Sequence, residues 1–588
     1  MSDLATQLWA GITATTTREF MLGPDRAISY AALRDGLARW TRLFDAHGLE
    51  CGDRIVIRTD RDEVAAVAFF AALLDGVVPI LLEGTCPDAR LAAIVAAVDP
   101  KVVASDQFLP ELACDRVVLE RQAVKQGVFK RSAVPHFGLA GNGVGRPPRL
   151  PADQDGNGLA YLLFTSGTTA APTGVQISRA NLAANLATLA KLFDYGSDSR
   201  IFNDMILAHA DGIIQGPVLA AWTGSTVIRA GGFQVQRIED WLAMVRQYRA
   251  THVLTVPTVW AMIDAYAAHD DYFDAPECKV LMSVAAKLPS DLWDRIEARF
   301  RRPLVSHYGL TETVASALYA GDWPGLGARY SAGLPIDCAA RIAGGAPQGE
   351  LELQGDNVFA GYWRNPERSA ASFTGDGWFR TGDLAERLEN GSYATVGRLK
   401  SVIMSGGLLI RPDEIDEAML RHAAVLESAT IACPDDVFGE IGVTAIVLRD
   451  GAEATQTDLV GHLRLQVEPR KVSKHVVILP AIPRGLSGKV NIAALRELVT
   501  AQLTKVGDAR CDNTDVASAV LAIAARVFRV APDSLSLRSA PDDVAGWDSF
   551  THINLIMSVE QHFACRINAR QVSGLRNLGD LAAVVSKG

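Results

Sequence analysis

The sequence predicts an α/β protein of several layers, followed by a smaller compact unit and a helical C-terminal unit. Three observations carry this. Short β-branched runs alternate with helical periodicity up to about Val396. Residues 341–396 change texture, with alternating Leu351-Glu352-Leu353 among Gly, Asn and Asp. Helical spacing alone then marks residues 514–588. At 588 residues the chain exceeds what one core sustains.

Along the chain, Val64, Val67 and Phe70 fall on one helical face, and Val77-Val78-Pro79-Ile80-Leu81-Leu82 reads as a buried strand. Val253–Val256 and Lys279–Met282 read the same way, each followed by a helical segment, which favours substantially parallel sheets. The 341–396 stretch predicts an antiparallel region. A new unit begins near Lys400 and runs to about residue 505, and the polar segment Lys505–Asp512 reads as a linker. Asn513 or Thr514 can cap a helix carrying Val516, Val520, Ile523 and Val527 on one face. Asp548 can cap a second, with Ile553, Ile556, Val559 and Phe563 on one side.

Composition narrows the function. A formal net charge of −10 without a basic run argues against general nucleic-acid binding. Eight scattered cysteines, with no CxxC, match neither a disulfide framework nor a zinc pattern and suit a reducing compartment. The N-terminus, Met1-Ser2-Asp3-Leu4, carries no signal-peptide pattern. The most apolar stretch, Val64 to Leu82, is broken by Asp75, Gly76 and Pro79, so no membrane span is expected and a cytoplasmic location is.

The chemistry sits in short motifs. Thr165-Ser166-Gly167-Thr168-Thr169, continuing to Gly174, offers hydroxyls and backbone N–H groups to phosphate oxygens after the strand-like Leu162-Leu163-Phe164, although a plain surface loop has the same composition. Tyr308-Gly309-Leu310-Thr311-Glu312 brings together an aromatic face for a purine, a hydroxyl for a phosphate and a carboxylate for Mg²⁺. Thr381-Gly382-Asp383 ends an aromatic run in a turn whose carboxylate can accept ribose hydroxyls. Gly397-Arg398-Leu399-Lys400 leads into Ser405-Gly406-Gly407, suiting an interdomain hinge. Gly485-Leu486-Ser487-Gly488-Lys489 presents one cation on a glycine-rich loop, able to stabilise charge where a carboxylate attacks phosphorus. Gly546-Trp547-Asp548-Ser549-Phe550 sets a serine at a helix start, where a phosphodiester is favoured.

In this order the motifs resemble the adenylate-forming superfamily of acyl-CoA synthetases, luciferases and nonribosomal peptide synthetase adenylation domains, over about the first 500 residues. The C-terminal unit resembles acyl and peptidyl carrier domains. The resemblance implies a large mixed-sheet domain over residues 1–397, a small α+β domain over 398–505, a linker over 506–513 and an all-α four-helix carrier over 514–588. It implies ATP phosphates at Thr165–Thr169 and Gly174, Tyr308 against adenine, Thr311 near the α-phosphate and Glu312 at Mg²⁺. Asp383 and Arg398 would hold the ribose, Lys400 would be the hinge, Lys489 would promote adenylation, and Ser549 would carry 4′-phosphopantetheine. A ligase activity follows, with a carboxylic acid as substrate, a phosphopantetheinyl transferase as modifying partner and a downstream condensing or tailoring enzyme as recipient.

Two departures matter. The family loop ends Thr-Gly-x-Pro-Lys-Gly, whereas this one reads Thr169-Ala170-Ala171-Pro172-Thr173-Gly174, removing a phosphate contact and predicting weaker ATP binding or a slower pyrophosphate-forming step. The small-residue segment of the acyl tunnel reads Ser283-Val284-Ala285-Ala286, so Val284 adds bulk there. His209 falls where amino-acid-activating relatives carry the Asp that holds an α-ammonium, favouring a fatty, hydroxy or aryl acid. A one- or two-residue shift substitutes Asp211 and readmits an amino acid, and His209 is equally a packed pocket wall. Loading of the chain's own carrier, release of free acyl-CoA, and an inactive scaffold are the competing outcomes.

Overall fold

The computed structural model describes the chain except residues 1–2, 15–16, 25, 120–138, 140–144, 152–155, 165–171, 235–236, 400–402, 406–407, 436–438, 468–470, 485–489, 508–515, 529, 532–533, 541–542, 545–546, 548–554, 557, 561, 564, 566, 568–570, 572–574 and 588. It divides into two compact units, Met1–Thr395 and Val396–Gly588.

Among the described residues, the first unit is built on a nine-stranded sheet. Its centre is parallel: Glu19–Leu22, Thr226–Ile228, Arg200–Asn203, His252–Thr255, Val280–Ser283 and Leu304–Tyr308 lie side by side. Antiparallel strands close both ends. Their β-branched, doubly covered centres explain why the sequence shows continuous apolar runs here rather than alternation. A second parallel sheet pairs Arg54–Arg58 with Val78–Leu82 and Val102–Ser105. The strand expected from Val77 is therefore present, starting one residue later.

The helix before it corrects the one-faced reading of Val64, Val67 and Phe70. Every residue of Asp62–Asp75 from Glu63 onward is buried. Alanines on the remaining faces let neighbours approach from all sides, so no polar stripe survives to set a phase. Asp75 ends this helix fully buried and is neutralised by Arg146, whose Nη1 and Nη2 donate to its two oxygens at 2.6 and 2.8 Å.

The antiparallel region is present as Cys338–Ile342, Gln348–Gly355, Phe379–Arg387 and Tyr393–Arg398, adjacent in that order. A small antiparallel sheet joins Leu159–Phe164, Gly174–Ser178 and Gly361–Tyr362.

In the second unit, Val425–Asp435 and Gly439–Leu448 form a long antiparallel ladder, with His475–Ile478 parallel beside it. Helix Pro412–Leu420 is tied to this ladder by Asp416, which accepts from the Ser428 and Thr430 hydroxyls at 2.7 Å each and from Thr430 N at 3.1 Å. Desolvation pushes the Asp416 carboxyl up to about 6 in spite of these donors. A proton held more tightly in the folded than in the unfolded chain stabilises below the unfolded pKa, and that contribution is lost as pH rises through the folded one. Wild type is therefore expected to lose urea resistance relative to Asp416→Asn between about pH 4 and pH 7, read as hydrogen-exchange protection of Val425–Asp435.

A separate apolar core gathers Val520, Ile523, Phe528, Trp547, Ile556, Val559, Phe563 and Leu581. Helix Val516–Phe528 points Phe528 into it, while Val527 is only partly buried. The expected stripe is thus rotated slightly toward Ala524 and Phe528.

Candidate active site

Leu304–Tyr308 is the last parallel strand of the large sheet, and its C-terminal end delivers Tyr308 into a tight turn. Ligand sites of open α/β sheets form at such strand ends. Gly309 is required there, because a Cβ would lie 2.0 Å from Ala315 O. Thr311–Thr313 follows as a single 3₁₀ turn, braced by Leu310 N donating to Thr313 Oγ1 at 2.9 Å and that hydroxyl donating to Leu310 O at 3.0 Å. Phe359 N donates to Glu312 O at 2.8 Å, fixing the turn from outside.

Tyr308 OH donates to Asp383 Oδ2 at 2.7 Å, so the motif residues meant for base and ribose meet directly across 75 positions. Asp383 is 4 % exposed. Thr381-Gly382-Asp383 is not a turn but a bulge within Phe379–Arg387. The register jumps there, with Glu350 opposite Leu384 and Glu352 opposite Arg380. Gly382 takes φ +73°, Thr381 Oγ1 donates to Leu351 O at 2.7 Å, and Asp383 N donates to Thr381 Oγ1 at 3.1 Å. The bulge re-aims the carboxylate toward Tyr308 while the strand continues.

Glu312 Oε1 accepts from Tyr362 OH at 2.8 Å. Burial and the neighbouring carboxylate push the Tyr362 phenol up to about 12, so it remains a donor. Among the described residues no three His, Cys, Asp or Glu side chains converge as a metal cage. One partly buried, oriented carboxylate suits Mg²⁺, which keeps waters and phosphate oxygens as its other ligands. Neither Tyr362 nor its neighbour Arg368 was singled out in the sequence. The only hint is Gly361-Tyr362 before Asn365-Pro366, a capped helix start.

His209 opens the short helix Ala210–Ile213 with Nε2 3.6 Å from Glu83 Oε1. Asp211 is differently engaged, accepting from Gln215 Nε2 at 2.8 Å. Val284 is buried in the main core of the first unit, beside Ala285, which is partly buried at φ +69°. Arg398 ends its strand exposed in the second unit. Thr165, Ser166, Gly167, Thr168, Thr169, Lys400, Lys489 and Ser549 lie outside the described residues. The flanks of Ser549 are anchored: Trp547 is 8 % exposed and stacks on Phe528 at 4.6 Å between ring centroids, and Leu555 and Ile556 are buried.

Residues 9–363 match the AMP-binding enzyme family, 414–489 the AMP-binding enzyme C-terminal domain, and 518–585 the phosphopantetheine attachment site. The chain belongs to the AMP-binding, adenylate-forming enzymes, and it carries a C-terminal phosphopantetheine carrier domain. It is similar to a sulfoacetate–CoA ligase of Cupriavidus necator, 31 % identical over 80 % of this chain and 93 % of that protein. It is also similar to a feruloyl-CoA synthase of an Amycolatopsis species, 33 % identical over 58 % and 70 %. The solved structure of ATP-bound MatB from Rhodopseudomonas palustris matches with TM-score 0.74 and 25 % identity, over 84 % of this chain and 98 % of that one. The protein is an acid–thiol ligase that uses ATP. No helix among the described residues is long and apolar enough to cross a membrane.

Proposed function

We propose that the protein converts a carboxylic acid to its acyl-adenylate and loads the acyl group onto its own carrier domain. The setting is fatty-acid-like, polyketide or nonribosomal peptide assembly. The observation that carries this reading is the union in one chain of an adenylate-forming enzyme and a phosphopantetheine attachment domain. Tyr308 lies against adenine, and its hydroxyl holds Asp383 in the orientation that accepts ribose hydroxyls, a task that Arg398 shares. Thr165–Thr169 and Gly174 wrap the phosphates, Thr311 reaches the α-phosphate, and Glu312 holds Mg²⁺. A carboxylate oxygen attacks the α-phosphorus, pyrophosphate departs, and Lys489 stabilises the charge shared between the two anions. The small domain then turns about Lys400 and withdraws Lys489. Phosphopantetheine, placed on Ser549 by a phosphopantetheinyl transferase, supplies the thiol that accepts the acyl group as AMP leaves. A condensing or tailoring enzyme receives it next.

The acid lacks an α-amine in this reading. His209, not an aspartate, stands at the ammonium position, and Asp211 is engaged by Gln215. Ala285 walls the acyl site, with Val284 packed in the core behind it. Sulfoacetate, ferulate and malonate, named for relatives, are also acids without an amine. Because those relatives are CoA ligases, release of free acyl-CoA is the second reading. Incubating phosphopantetheinylated protein with ATP and an acid panel separates them. Acid-dependent AMP with an acyl mass on the protein is expected. Acyl-CoA without protein acylation selects the second reading, and no acid-dependent AMP across the panel removes both.

A further inference from the structure

The segment Thr165–Gly174 contains no lysine or arginine, yet a magnesium-bound triphosphate still carries net negative charge. A cation does reach the described end of this segment, from far away in sequence. Arg368 Nη1 donates to Thr173 Oγ1 at 2.8 Å across 195 positions. Its guanidinium lies over the Tyr362 ring, 4.4 Å from the centroid, and Tyr362 OH in turn donates to Glu312.

Local structure explains the placement. Gly361 and Tyr362 pair with Gln176 and Val175, so this short strand is hydrogen-bonded to the strand that leaves the phosphate segment. Trp363 N donates to Gly174 O at 2.8 Å. A Cβ on Gly174 would lie 2.9 Å from Phe164 Cζ and 3.3 Å from Trp363 Cβ, so glycine leaves room here for the Phe164 ring and the Trp363 side chain. Asn365 then caps helix Pro366–Ala371, its side chain accepting from Arg368 N at 3.0 Å. One turn after the pairing, the helix aims Arg368 back at Thr173. The arginine is exposed, and a hydroxyl and an aromatic face hold its guanidinium, leaving it accessible to an incoming anion.

We infer that Arg368 is the phosphate-binding cation of this enzyme, contacting the β- and γ-phosphates of ATP from the neighbouring helix where the loop itself supplies Thr173. Guanidinium suits this task, since its planar fork can bind phosphate oxygens while its face stays on Tyr362. Thr173 and Tyr362 hold the fork in place before the nucleotide arrives. The contact belongs to the triphosphate tail and not to the nucleoside. It rests on the ATP-using reading of the site above.

The test uses the full chain and needs no knowledge of the acid. Binding of Mg-ATP and of AMP is measured by calorimetry for wild type, Arg368→Ala and Arg368→Lys. Arg368→Ala is expected to weaken Mg-ATP roughly tenfold to a hundredfold while AMP binding stays within about twofold. Arg368→Lys, which keeps the charge, falls between. Unchanged Mg-ATP affinity in Arg368→Ala overturns the inference, and so does an equal loss for both nucleotides, which would mark a merely structural role. Wild type binding neither nucleotide would instead overturn the underlying reading together with this one, a result visible before any variant is made.

Discussion

Ser549→Ala is expected to eliminate every acyl mass increment on transferase-treated protein while leaving acid-dependent pyrophosphate exchange at the wild-type level. In the proposed reading the two halves of the reaction use different residues of the chain. Activation, in that reading, uses the residues around Tyr308, Glu312 and Asp383, all in the first unit, and the charge of Lys489. Loading, in the same reading, needs the C-terminal helices, whose core among the described residues lies within 516–585. Alanine removes a single hydroxyl from the chain. A tether supplies its thiol at an effective concentration on the order of millimolar, which external CoA must match to compete. Intact mass spectrometry and isotope exchange on the same sample read the two halves separately. Residual acylation in Ser549→Ala would place the acceptor elsewhere.

Lys489→Ala is expected to lower acid-dependent pyrophosphate exchange by about 10²–10³-fold, the cost of losing one preorganised charge at a developing anionic centre. Transfer from a supplied acyl-adenylate should remain near wild type, because its barrier lies at the carbonyl carbon after pyrophosphate has gone. The segment Pro483–Lys489 carries one other cation, Arg484, which donates to Glu427 Oε2 at 2.6 Å and is thereby committed to the ladder of its own unit. An equal loss in both half-reactions would indicate a misfolded loop rather than a missing charge.

Much of the fold was legible because buried parallel strands leave continuous apolar runs, as at Val78–Leu82 and Val280–Ser283. The helix Asp62–Asp75 was legible as a helix but not in its orientation, since burial on every face erases the periodic contrast. From sequence alone Thr381-Gly382-Asp383 reads as a turn, because glycine at positive φ beside an aspartate serves a bulge as well as a turn. Only the pairing partner, Gln348–Gly355, decides between them. The Tyr308–Asp383 bond joins two motifs that were each visible. Tyr362 and Arg368 belong to no recognised motif, and their role depends on a strand pairing between residues 175–176 and 361–362 that no local pattern announces.

That small three-stranded sheet has a further consequence. It links Thr173, Tyr362 and, through the phenol, Glu312 into one connected scaffold. With Mg²⁺ at Glu312 and the nucleotide tail at Arg368, as proposed, the metal and the tail are expected to be linked ligands. Each should then tighten the other reciprocally by the same factor.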